Sequence, residues 1–159
     1  MIRKAIQSDF DDIQRLNQEV FDFEKETSDP HTDTSFPTSD IGQQFYSDIV
    51  NEKGGHFGYV YEEESIIKGY VSLRVQNQNE YIHRRDVTVL QLQTLGIDEK
   101  YRNQGIGKEL VQYSKKIAKY LGFSHLHVVA RVDNTHARHV YTSCGFKEFE
   151  IVHEVEVEV

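Results

Sequence analysis

The segment VTVLQLQTLGIDEKYRNQGIGKEL (residues 87–110) sets an apolar run against two glycines and then an amphipathic run. Val87, Val89, Leu90, Leu92, Leu95 and Ile97 read as a strand. Leu110, Val111, Ile117, Ala118 and Leu121 follow at helical spacing, and Gly122 stands where a left-handed C-terminal cap is expected. Between the two lies Arg102-x-x-Gly105-x-Gly107. Glycine costs a helix about 1 kcal/mol against alanine, so two of them at a helix start suggest a use for bare backbone. A helix start carries unpaired N–H groups and partial positive charge, and it binds anions, phosphates above all. Arg102, Gln104 to Gly107 and Lys108 are therefore expected to cradle a diphosphate, the alternative being a loop whose glycines serve only the turn.

Two other phosphate loops fit less well. A Walker loop has a longer glycine spacing and Lys-Ser/Thr, whereas Gly107-Lys108 is followed by Glu109. A dinucleotide fingerprint needs a third glycine and an early βαβ unit.

Elsewhere the chain reads as alternating elements. Ile2 to Ile6 form a short strand. Phe10, Ile13, Leu16, Val20 and Phe21 make one helical face after a start near Ser8. Residues 24–40 hold both prolines and read as a long loop over or beside a site. Asp40 caps a second helix through Val50, and NEKGG ends it. Residues 56–78 read as two strands with a turn at Glu62 to Ser65. HLHVVARV is a further strand and NTHARHVYTSC a further helix. FKEFEIVHEVEVEV is a final pair of strands, whose alternating EVEVEV end can act as a sheet edge and pair with a second copy in a homodimer.

Composition narrows the function classes. With 159 residues the chain is expected to form one domain, residues 1–159, able to bury a core without staples. It holds no apolar run near the ~20 residues of a membrane span and no apolar signal core, so a cytoplasmic protein off the membrane is expected. The one cysteine suits a reducing compartment. A net charge of −8 argues against nucleic acid and leans towards cationic partners.

The stretch LGIDEKYRNQGIGKEL resembles motif A of the Gcn5-related N-acetyltransferases (GNAT), in which Arg/Gln-x-x-Gly-x-Gly/Ala follows a hydrophobic strand; Arg102, Gly105 and Gly107 match it. DNTHARHVYTSCGFKEF is similar to motif B through Asn134, Ala137, Tyr141, Gly145 and Phe146. The opening IRKAIQSDFDDIQRL is also similar to a common start of the family. The resemblance implies an α/β fold: a mixed, mostly antiparallel sheet of about seven strands with about four helices, whose fourth and fifth strands splay apart. It implies acetyl-coenzyme A (acetyl-CoA) as cosubstrate and a small-molecule or peptide amine as acceptor. Leu95, Gly96 and Ile97 would meet the pantetheine through main-chain groups. The turn from Arg102 through Asn103, Gln104, Gly105, Ile106 and Gly107 to Lys108 would hold the pyrophosphate. Asn134 would contact the pantetheine arm or the bound substrate's surroundings, Ala137 would belong to the cofactor site, and Tyr141 would approach the thioester sulfur.

The chemistry fits these residue types. A neutral amine attacks the acetyl carbonyl directly, with no covalent enzyme intermediate. A main-chain N–H near Ile97 would stabilise the oxyanion, and Tyr141 would protonate the leaving thiolate as general acid. Alternatives are a peptide or protein acetyltransferase, at N-termini or lysines, and a non-catalytic acyl-CoA sensor.

Other reactive residues read differently. Tyr141 as a half-buried packing aromatic and Asn134 as a helix N-cap are the bland alternatives to their ligand roles. Cys144 beside a helix C-terminus reads as a small packing residue rather than a nucleophile. His136 with His139, and His125 with His127, lack a recognised metal spacing. His83, Arg84 and Arg85 read as a solvated loop. The general base is not assigned. The strand before the glycines offers Gln91 and Gln93 but no carboxylate, which leaves Asp86, Glu80, His56 or water.

Overall fold

The computed structural model describes residues 1–76, 87–155 and 157. Its regular elements are β1 (Ile2–Lys4), α1 (Phe10–Thr27), α2 (Asp40–Asn51), β2 (His56–Glu63), β3 (Ile66–Val75), β4 (Val89–Ile97), α3 (Ile106–Tyr120), β5 (His125–Val128) and α4 (Thr135–Ser143).

The strands form one sheet in the order β1-β2-β3-β4-β5. The first four pair antiparallel, and β5 pairs parallel to β4 after the crossover through α3. Glu64 and Ser65 make the β2–β3 turn, both at positive φ (53 and 62). That is the hand of turn which matches strand twist. On one face, Val71, Leu73, Leu90 and Leu92 pack against Leu110, Val111 and Ala118 of α3. On the other, Val60, Ile67 and Tyr70 pack against Ile13 and Leu16 of α1 and Tyr46 and Ile49 of α2. The apolar spacing of α1 is thus what seats it: Ile13 and Leu16 are wholly buried, and Phe21 stacks on Phe36 with ring centroids 5.3 Å apart.

Three expectations need correction. The second helix is capped by Ser39, whose hydroxyl accepts the Gly42 N–H, and Asp40 is its first residue. The loop after α1 is shorter than read from sequence, because α1 runs to Thr27 and a 3-10 turn occupies Phe36–Thr38. The sheet has five strands among the described residues, and no strand follows Val128 there. After the half-buried Phe146, residues 147–155 are all exposed: Phe149 is 58% exposed and Val152 88%. Side-chain burial is what turns alternation into a paired strand. Part of the EVEVEV end lies outside the described residues, as do His83, Arg84, Arg85, Glu80 and Asp86.

Two irregularities shape the middle of the sheet. Ser72 pairs with Thr94 but Leu73 with Leu92, so Gln93 is an extra residue on β4. Such a bulge bends its strand and re-aims a side chain. The β4–β5 ladder also stops at Leu92↔Val128, while β4 continues to Ile97. From Gln93 to Ile97 that edge of β4 has no strand beside it among the described residues.

Candidate active site

The open edge of β4 leads into the glycine turn. Asn103 and Gly105 both take left-handed dihedrals (φ 62 and 88), which delivers the chain into α3 at Ile106. The helices α2 and α4 close their N-termini with the Ser39 hydroxyl and the Asn134 carbonyl. At α3 no side chain does so, and the first helical bond runs from the Glu109 N–H to the Gly105 carbonyl. The N–H groups of Ile106, Gly107 and Lys108 are left pointing out of the helix.

The two glycines differ in cause. Gly105 is required by its positive φ, since a side chain there would stand in open space. Gly107 has no such need. A Cβ on it would make only ordinary contacts, 3.8 Å from Ile97 and Leu95. Nothing in the folded chain calls for a bare Cα there, so a ligand that passes close to the backbone fits the position. Gly96 is explained by packing, because a Cβ would lie 2.6 Å from the Tyr70 ring.

Two side chains expected in the cradle are turned back into the protein. The Arg102 Nε donates to the Ile97 carbonyl (3.1 Å), and the guanidinium pairs with Glu19 of α1 (3.4 Å). Gln104 is exposed, and its Nε2 donates to the Lys100 carbonyl at 3.4 Å, a long bond that ties its amide to the start of the turn. Glu19 also accepts the Glu99 N–H, and Arg15 binds both Glu19 (3.0 Å) and Asp98 (2.9 Å). The polar face of α1 thereby clasps the β4–α3 turn. The backbone of the turn and Lys108, which makes no ion pair among the described residues, are what it presents outward. The sequence signal for this clasp was Arg15 and Glu19 at i,i+4 on α1, visible but without a stated partner.

Tyr141 lies on α4, 9% exposed, with its ring against Phe146 at 5.8 Å. Its hydroxyl makes no hydrogen bond among the described residues. Burial first, and then the negative charge of Glu24, push that hydroxyl up to about 12, so it holds its proton. Asn134 is the α4 cap, its Oδ1 accepting the Ala137 N–H at 3.0 Å. Cys144 is buried, and its carbonyl accepts a bond from Lys115 of α3 (2.7 Å).

Asp29, after α1, pairs with Arg131, after β5, at 2.9 Å. Near them burial raises the Glu24 carboxyl, against Arg131 and with help from Asp29. The described residues contain no group of three or more metal-binding side chains.

The α1–α2 face of the sheet carries a polar row. His56 is paired with Arg74 and Arg74 with Gln91, and all three alternate with residues of the α3-side core. They therefore stand together under α2. His56 Nδ1 lies 2.9 Å from Gln93 Oε1 at the bulge, and the Phe45 ring meets the imidazole edge-on at 5.3 Å. Ser72 Oγ and the Tyr46 hydroxyl are buried without partners among the described residues, and the Tyr70 hydroxyl lies near Thr94 and Asn17 without reaching hydrogen-bond geometry. Of the side-chain proton acceptors raised from sequence, His56 alone is among the described residues, and it stands against β4. Arg74 and Ser72 were not singled out there, because only the register shows that they share a face.

The acetyltransferase (GNAT) family model matches residues 11–146. A mutant of the BH1408 protein from Bacillus halodurans has the same fold, with a TM-score of 0.88 at 18% identity over 99% of each chain. The aminoglycoside N-acetyltransferase AAC(6')-Iy in complex with CoA aligns with a TM-score of 0.72 at 14% identity over 100% of each chain. A mycothiol acetyltransferase from Jonesia denitrificans is 32% identical over 88 residues, which is 55% of this chain. The chain spans about a quarter of that relative's length, 26%. The parted fourth strand and the uncapped helix start beside the gap fall within the residues that this family model matches. The chain belongs to the acetyltransferase (GNAT) family. No helix among the described residues is long and apolar enough to cross a membrane.

Proposed function

We propose that the protein moves the acetyl group of acetyl-CoA to a primary amine of a small molecule by direct attack. The observation that carries this reading is the pairing of an open β4 edge, Gln93 to Ile97, with the uncapped start of α3 and its unneeded glycine, Gly107. Bound there, acetyl-CoA supplies the activated acyl group. The N–H groups of Ile106, Gly107 and Lys108 bind the diphosphate. Main-chain groups of Leu95 and Ile97 hold the donor's arm along the edge and aim a donor at the carbonyl oxygen. Tyr141, a hydroxyl with its proton held and no partner among the described residues, gives that proton to the departing sulfur. The acceptor enters from the α1–α2 side, where His56 and Gln93 stand.

Calorimetric titration with acetyl-CoA, beside a Gly105→Trp variant, tests the donor site. Binding by the wild type and its loss in the variant are expected. Thiol release across an amine panel then tests transfer, and a protein that binds no acetyl-CoA would overturn the reading.

A further inference from the structure

Arg74 has no carboxylate partner among the described residues. Arg3, Arg15, Arg102, Arg131 and Arg138 each pair with an Asp or Glu. Arg74 makes no ion pair and no hydrogen bond among the described residues, and its Nε is shut off from water. In a chain with 26 acidic residues against 18 basic ones, this is not for want of carboxylates. Moreover Arg74 sits on β3, with β2 on one side and β4 on the other, rather than at a sheet edge. A guanidinium half-withdrawn from water with no counter-charge is costly.

Its neighbours indicate what offsets that cost. Arg74 stands between His56 and Gln91 in one cross-strand row, and Gln93, one step further along β4, is the first residue past the β4–β5 ladder. At about 3.3 Å per residue, the row lies roughly 7 Å from that parting point along the strand. The diphosphate is not its ligand. Ile97, next to the glycine turn, is six residues beyond Gln91, or about 20 Å. The row faces α2, whereas α3 covers the opposite face.

We propose that Arg74 anchors a carboxylate carried by the acceptor, so that the amine acetylated belongs to an amino acid or a similarly compact amino-carboxylate. The inference rests on the acetyl-transfer reading above. A guanidinium fork binds a carboxylate through two parallel charge-assisted hydrogen bonds. One guanidinium beside the amide side chains of Gln91 and Gln93 matches a singly charged group. With the carboxylate held on β3, the amine of the same molecule is directed along the polar row to Gln93, where β4 opens. The chain's acidity leans towards cationic acceptors, but among the described residues this face carries a cation without an acidic partner.

The test uses matched amines with and without the carboxylate: lysine and cadaverine, ornithine and putrescine, phenylalanine and phenethylamine. Thiol release from acetyl-CoA is expected to favour the carboxylate member by about tenfold or more in kcat/KM, the size of one charge-assisted contact. Arg74→Gln is expected to draw that ratio towards one through KM, with Arg74→Lys between the two. Equal use of both members by the wild type, or a ratio unmoved by Arg74→Gln, would overturn the assignment. A second readout does not depend on transfer. In protein with nitrogen-15-labelled arginine, hexanoate is expected to shift the Arg74 Nε resonance while hexanamide does not, and equal responses would also overturn it. Absence of thiol release with every amine counts against acetyl transfer, and the hexanoate shift still decides the role of Arg74.

Discussion

His56 Nδ1 and Gln93 Oε1 lie 2.9 Å apart, so one hydrogen bond spans β3 and joins the first residue of β2 to the bulge of β4. With Nδ1 donating, Nε2 keeps a lone pair and can take the proton that an attacking amine must lose. His56→Leu is expected to lower kcat/KM by about 100-fold, the lower end of what a positioned base contributes. Gln93→Leu is expected to lower it less, and the double variant to be no worse than His56→Leu alone, as for two residues that act through one contact. Losses that simply multiply in steady-state kinetics would show the two to be independent.

Gly107 separates what the fold needs from what the ligand needs. Replacing it with alanine or leucine removes a helix-hostile residue, and the unliganded protein is expected to gain about 0.5–1 kcal/mol. For a chain of this size that is roughly 1–4 °C in Tm. Gly107→Leu is nonetheless expected to lose acetyl-CoA binding, because its side chain stands over the helix start. Thermal unfolding read beside calorimetry checks both halves. A leucine variant that binds normally would remove the close-approach argument.

The Tyr141 hydroxyl, raised to about 12 by burial and then by Glu24, keeps its proton where an ordinary tyrosine at 10.0 would lose it. Transfer is therefore expected to show no tyrosine-type loss of kcat between about pH 9 and 11. The same shift favours the folded state fully below pH 10 and fades as the pH rises towards 12. Tyr141→Phe is expected to cut kcat by about 100-fold while leaving the fold intact, since a proton donor is removed but the packed ring remains. A pH–rate profile and circular dichroism of the variant check this; unaltered turnover would remove Tyr141 from the reaction.

Asp9 controls stability in acid. Burial opposes its charge, but hydrogen bonds from Arg3 and the Ile6 N–H hold its carboxyl below the ordinary 3.8. Its contribution is therefore fully present above 3.8 and is lost as the pH falls through the lowered value. Asp9→Asn is expected to cost about 2–3 kcal/mol at neutral pH by leaving Arg3 half-paired, and to flatten the decline of stability below about pH 4. Urea denaturation from neutral pH into acid measures both.

The parts of this molecule set by local rules were legible in the sequence. Ile13 and Leu16 fix the buried face of α1 by spacing alone, and Gly105 announces a left-handed turn because few other residues accept one. The family motifs carried the order of the central elements. Relationships that depend on register were not legible. Gln93 and His56 are far apart in the chain and meet only because the β2–β3–β4 register sets them on one face, either side of β3. Arg74 looks like any strand arginine until its neighbours are known. Within the glycine turn, position was legible but side-chain direction was not: Arg102 and Gln104 bond to carbonyls of their own chain, which leaves the cradle to main-chain N–H groups. The C-terminal alternation misled for the opposite reason, since period two states what a strand would bury and not whether anything is there to cover it.

The parting of β4 from β5 has a consequence for the protein's lifetime. Backbone that ends without a neighbour is a seam, and on the proposed reading the donor molecule laid along it does what another strand would do. Folding and donor occupancy are then one linked equilibrium: at about a hundred times its dissociation constant, a ligand that binds only the native state adds about 2.7 kcal/mol to stability. On that reading, supply of acetyl-CoA would govern how long the chain survives unfolding and proteolysis as well as how fast it works, the same metabolite serving as fuel and as mortar.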